Sequence, residues 1–215
     1  QMLNSAGLSN QQYARMIPLY NEMRVELMAG QFLDIHEQTQ KDTSTDRSMK
    51  IARYKSGKYT IERPLHIGAV IGKPEKSDHA ALLDALSRYG LPLGEAFQLR
   101  DDMLGIFGDP EVTGKPAGDD LREGKRTVLI AMTLEALDES GRAELLAHLG
   151  QPDISATKIE ELRALITSSG AVEKVEKLIE KLTSDSLAAI EDPSIHPTSR
   201  EFLTYIALSA VKRSA

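Results

Sequence analysis

The chain has 215 residues, 41% of them hydrophobic and 27% charged, the balance of a folded, water-compatible chain and not of a disordered one. It contains no cysteine, which excludes a disulfide scaffold, a thiolate metal site and a cysteine nucleophile, and leaves the cytoplasm as the default compartment. A net charge of -6 speaks against a broad nucleic-acid surface, and no apolar run approaches the roughly 20 residues of a membrane span, so no stable membrane insertion is expected.

Helical periodicity dominates from the start. The chain opens on Gln1 instead of methionine, and QMLNSAGL reads as the end of something already helical. Across 11–38, Met16, Leu19, Tyr20, Met23, Leu27, Met28, Phe32, Leu33 and Ile35 recur at three- and four-residue steps, which predicts one long helix with a kink or restart at Pro18. The polar run KDTSTDRS at 41–48 is a loop whose hydroxyls can cap the next helix. That second helix spans about 47–71, interrupted at Pro64, and ends in GKPEKSD at 72–78. Its Gly57, between Lys55 and Lys58, costs about 1 kcal/mol of helix propensity and suggests close packing or a local distortion. A third helix runs past Gly90-Leu91-Pro92, where a break is expected, to Phe107. GDPEVTGKPAGD at 108–119 is an ordered loop or lid. Helices are predicted at about 120–138, 140–149, 155–168, 171–190 and 197–213. Strand alternation is absent, no linker divides the chain, and the fold class is all-α, a single helical domain over 1–215.

The segment richest in chemistry is 94–127. Asp101 and Asp102 follow Gln98 by three and four positions, on neighbouring parts of one helical surface. Two adjacent carboxylates among Phe97, Leu99, Met103 and Leu104 repel one another and lose hydration, so a cation is needed; magnesium, which takes oxygen ligands, suits them. Without more, such a pair is commonly a solvated helix face beside Arg100. The odds change with Lys115, Lys125 and Arg126, and Arg122 nearby, which offer positive charge from a glycine-rich loop that lets backbone approach a diphosphate. The spacing is not that of a nucleotide-binding P-loop. Lys55 and Lys58 form a second basic site that is either functional or plain surface. The five histidines are scattered, and no histidine metal site is expected.

Taken in order, Gln98-x-x-Asp101-Asp102, Gly108-Asp109, Gly114-Lys115, Gly118-x-Asp120 and Gly124-Lys125-x-Thr127 resemble the second aspartate-rich region of the polyprenyl synthetases. Lys55-Ser56 resembles the family's Lys-Thr motif with serine in the threonine place, and Glu26, Gly30-Gln31 and Asp34 resemble a further stretch upstream. The resemblance, of actinobacterial geranylgeranyl/farnesyl type, implies an isoprenoid synthase helical bundle and a homodimer. The implied reaction joins isopentenyl diphosphate to an allylic diphosphate (dimethylallyl, geranyl or farnesyl) with Mg2+, giving a linear all-trans product. By position, Asp101 and Asp102 would bind metal, and Lys55, Lys115 and Lys125 would face diphosphate. Lys55, Ser56 and Gln98 would act at the reacting centre, the last two turning negative dipole ends toward the carbocation.

The pattern also departs from the family. Gly105 stands where the motif commonly has a third aspartate; either one metal site is weakened, or Asp101 and Asp102 with substrate and water suffice, as the DD-x-L-G pattern of an actinobacterial-type subset of the family implies. The first aspartate-rich motif would lie before Gln1, and neither Asp42 and Asp46 nor Asp119 and Asp120 is expected to replace it. The chain is accordingly read as the C-terminal portion of such an enzyme, inactive by itself, with product length unreadable beyond a geranylgeranyl-length guess. Two other readings stay open: a class I terpene cyclase, disfavoured by zero tryptophans and four phenylalanines, and a catalytically silent helical partner subunit.

Overall fold

The computed structural model describes residues 5–40, 42–72, 79–114, 116 and 118–212. Among them every regular element is helical: α1 (Asn10–Gln38), α2 (Thr45–Ala52), a π-helical segment (Arg53–Glu62), α3 (Arg63–Gly72), α4 (Ala80–Phe107), α5 (Pro110–Thr113), α6 (Asp119–Glu123), α7 (Val128–Ala136), α8 (Glu139–His148), α9 (Ala156–Ser168), α10 (Ala171–Ala189) and α11 (Pro197–Val211). The all-α expectation holds. No helix among the described residues is long and apolar enough to cross a membrane.

The chain's own polar residues start these helices. Ser9 and Gln12 form a reciprocal capping box on α1, Gln12 N donating to Ser9 Oγ at 3.2 Å and Ser9 N to Gln12 Oε1 at 3.0 Å. Thr127 and Ser155 accept from Ile130 N and Lys158 N at the starts of α7 and α9. The expected helix at 120–138 is in fact α6 and α7, separated because Gly124 takes a left-handed φ of 73° that L side chains avoid.

α4 is the axis of the bundle, lying between α10 on one side and the π segment on the other. Ala85, Leu86, Tyr89, Leu93, Ala96, Leu99, Met103 and Ile106 are buried at helical spacing along it. They meet Val175, Ile179, Leu182 and Ala189 of α10 within one apolar core, each large side chain contributing about 1.5–3 kcal/mol. Buried polar groups here are partnered: Tyr89 Oη donates to the Leu203 carbonyl at 2.7 Å, and Ser186 Oγ to the Tyr89 carbonyl at 2.9 Å. Pro92 sits inside α4 without ending it, a difference from the predicted break. Proline removes one helical hydrogen bond, and packing on both sides of Leu93 and Ala96 outweighs that loss.

On the opposite side, glycines set the spacing. A Cβ added at Gly94 would stand 2.4 Å from Gly57 Cα, one at Gly90 would stand 2.9 Å from Glu62 Cα, and one at Gly30 would stand 2.5 Å from Lys55 N. The backbones of α1, the π segment and α4 therefore touch directly. Ion pairs fasten α1 to the π segment and α3: Glu26 to Lys58 at 2.9 Å and to Arg63 at 2.8 Å, with Glu22 to Arg63 at 2.7 Å. The outer side of α1 is different. Val25, Met28, Phe32 and Ile35 are 60–67% exposed, so part of the apolar periodicity of this helix faces away from the core.

Candidate functional site

The site grows out of the glycine contacts. Asp34 lies one turn beyond Gly30 on α1, and Gln98 and Asp102 lie one and two turns beyond Gly94 on α4. Lys55 and Ser56 come from the π segment between them. π-Helical turns hold an extra residue and commonly occur where a helix must present groups at irregular angles. Because the three backbones are in contact, short side chains can reach across: Lys55 Nζ donates to Asp34 Oδ2 at 2.8 Å. Ser56 Oγ donates to Gln98 Oε1, and Gln98 Nε2 to Asp102 Oδ1 at 2.7 Å.

This relay gathers three of the sequence-predicted residues, Ser56, Gln98 and Asp102, and Lys55 adjoins it. One pocket is lined by Asp34, Ser48, Lys55, Gln98, Asp102, Lys125 and Arg126. Two groups are engaged with the protein itself. Gln98 Oε1 is taken by the Ser56 hydroxyl, so in this state its dipole closes on a neighbour. Arg122 turns away, donating to the Ile154 carbonyl at 3.2 Å. Lys115 lies outside the described residues.

Charge in the pocket is uneven. Asp102 is 7% exposed; burial, reinforced by the neighbouring Asp120 and Asp101 carboxylates, pushes its carboxyl up to about 8 against the relief given by Gln98. Burial opposes the Lys125 charge as well, but bonds to Asp120 and to Glu123 (2.8 Å) outweigh it and hold Lys125 protonated above the usual lysine range. Arg126 has its guanidinium Nε buried with no hydrogen-bond partner, and burial lowers its pKa.

Asp120 belongs to the Gly118-x-Asp120 motif of the sequence but was given no site role there. A Cβ at Gly105 would lie 2.1 Å from Asp120 Oδ2, so the Asp120 carboxylate fills the space where a side chain at 105 would begin. Asp119, Asp120 and Glu123 also bring one carboxylate oxygen each within 4.8 Å of one another. The signal was present in the sequence as an acidic pair inside a basic loop beside an unexpected glycine.

The donor set suits magnesium. Asp102 is a hard oxygen ligand whose closest partner is a neutral amide and whose carboxylate neighbours repel it; Gln98 and Lys55 offset burial only in part, and a small divalent cation would relieve the remainder.

Comparison with known proteins agrees with the fold and the resemblance. The polyprenyl synthetase family model matches residues 1–166. A geranylfarnesyl diphosphate synthase of Aeropyrum pernix is 30% identical over 210 residues, covering 96% of this chain and 63% of that protein. The structure of a Corynebacterium glutamicum geranylgeranyl pyrophosphate synthase, complexed with isoprenyl diphosphate and magnesium, superimposes with a TM-score of 0.92 at 40% identity. It covers 99% of this chain and 59% of that one. That of Pyrococcus horikoshii geranylgeranyl pyrophosphate synthetase gives 0.83 at 25% identity, with 96% and 61% covered. The chain thus spans about three fifths of the length of these relatives.

Proposed function

Because the chain belongs to the polyprenyl synthetase family, we propose that it carries the second metal-binding half of a trans-prenyltransferase active site. The reaction joins isopentenyl diphosphate to a dimethylallyl, geranyl or farnesyl diphosphate, giving a linear all-trans polyprenyl diphosphate. The observation that carries the reading is the pocket itself, where a buried acidic helix face, Asp102 with Gln98, looks across at Lys55, Lys125 and Arg126.

In this reading Asp101 and Asp102 hold Mg2+, which supplies positive charge to the departing diphosphate when bound. Lys55 and Lys125 exchange their carboxylate partners for diphosphate oxygens, and Lys115 of the neighbouring loop joins them. The Ser56–Gln98–Asp102 relay fixes the orientation of the Asp102 carboxylate toward the metal, and the Gln98 and Ser56 oxygens border the developing carbocation. The exposed apolar stripe of α1 at Val25, Met28, Phe32 and Ile35 fits burial against a second copy in a homodimer. No nucleic acid is part of this reading, and the cytoplasm is the compartment it assigns, where charged diphosphates and magnesium share solution.

The test is incorporation of labelled isopentenyl diphosphate with magnesium and each short allylic diphosphate, alongside thermal melting with magnesium and inorganic diphosphate. Turnover, or a ligand-linked rise in melting temperature that disappears in Asp101→Ala, is the expected result. A chain with neither response in any combination would sink the reading.

A further inference from the structure

Of the three described cations lining the pocket, two are already matched by carboxylates. Lys55 is paired with Asp34 at 2.8 Å, and Lys125 with Asp120 and Glu123. Arg126 has no such pair among the described residues, and its Nε is buried without a hydrogen-bond partner. The carboxylate whose field reaches it, Glu37, is spoken for: Arg47 Nε donates to both Glu37 oxygens at 3.0 and 3.1 Å, and the Thr43 hydroxyl donates to it at 2.9 Å. The backbone at 126 is nevertheless pinned. Ser48 Oγ donates to the Arg126 carbonyl at 2.8 Å, and the next residue, Thr127, caps α7.

A guanidinium held with a buried, unsatisfied donor costs folding free energy, and the cost persists unless an anion arrives. The fork of an arginine matches two phosphate oxygens at once, which a lysine cannot do. Asp102, on the same pocket wall, brings the metal-held diphosphate of the proposed reaction within this neighbourhood. We propose that Arg126 is a diphosphate-binding residue, contributing the forked contact to the metal-held diphosphate that the two paired lysines do not. The inference rests on the prenyltransferase reading above and adds to it a residue and a ligand group.

The experiment measures calorimetric binding of inorganic diphosphate, with magnesium and separately with EDTA, to the 215-residue chain and to Arg126→Gln, Arg126→Lys and Lys125→Gln. Melting temperature is recorded for each without ligand. The expected result is binding in magnesium that Arg126→Gln weakens about tenfold or more and Arg126→Lys restores only in part. The ligand-free melting temperature of Arg126→Gln should stay level or rise, since an uncompensated cation is gone; a purely structural arginine would move it down. Unchanged affinity in Arg126→Gln and Arg126→Lys, with Lys125→Gln weakened, overturns the role of Arg126 and leaves the prenyltransferase reading standing. A loss confined to the EDTA arm overturns the assignment to metal-held diphosphate. No binding by the parent chain removes both readings together. If Arg126→Gln fails to fold, Arg126→Lys decides alone, and equal affinity to the parent overturns the proposal.

Discussion

On the side of α4 that meets α10, large apolar side chains interlock, buried hydroxyls are partnered, and the one part-buried cation there, Arg100, is paired with both Glu176 oxygens at 2.6 and 2.7 Å. On the side that meets the π segment, glycine backbones touch, Asp102 is buried beside two other carboxylates, and a guanidinium nitrogen lies buried without a partner. One helix thus serves both as the centre of an ordinary core and as the wall of a strained polar pocket. The first side is built mainly for packing, although Arg163 of α9, which donates to the Ile106 carbonyl of α4, likewise buries one guanidinium nitrogen without a partner. The second concentrates buried carboxylates and cations that a bound cation or anion would relieve, as expected of a binding surface.

The contrast can be broken most forcefully at the crossing. Gly94→Ala sets a Cβ 2.4 Å from the Gly57 backbone, and is expected to cost on the order of 3 kcal/mol or more by urea unfolding. Gly68→Ala on α3, where nothing lies within 4 Å, should instead gain roughly 0.5–1 kcal/mol. Equal effects would mean that the helices separate easily and that close approach is not what forms the site. A smaller effect of the opposite sign is expected at the pocket wall. Asp102→Asn keeps the shape and removes a carboxyl whose raised pKa of about 8 costs stability as pH rises above about 4, so at neutral pH and above the metal-free chain should gain about 1 kcal/mol, or about 2–4 °C in melting temperature, a gain absent in acid. The same variant should lose the rise caused by magnesium and inorganic diphosphate. A destabilised variant would show that Asp102 is structural. The least response belongs to the far side: Lys181→Ala removes an exposed i,i+4 pair with Asp185 at 2.6 Å and should shift stability by less than about 0.5 kcal/mol.

Much of this was legible in the sequence, for reasons that differ by region. The helices at 140–149, 155–168, 171–190 and 197–213 were visible because apolar periodicity and capping residues act locally, and α8 to α11 follow them closely. The failures fall where a third element intervenes. Pro92 reads as a break in isolation, but α4 is clamped from both sides. The π segment was hinted at by Gly57, yet its form depends on Gly94 and Gly30 meeting it. At the site, Lys55, Ser56, Gln98, Asp102 and Lys125 were recognisable as motif residues at fixed spacing. Their pairings were not, since the contacts of Ser56 with Gln98 and of Lys55 with Asp34 cross between helices. The seat of Asp120 against Gly105 was hidden for the same reason, the two being fifteen positions apart.

The seat of Asp120 against Gly105 ties two distant letters of the sequence into one. A motif exchange that puts aspartate at 105 would touch both: the incoming side chain makes the Asp120 carboxylate shift, and with it the contact to Lys125. A hybrid altered at 105 alone therefore disturbs the pairing of Lys125 as well as adding a carboxylate.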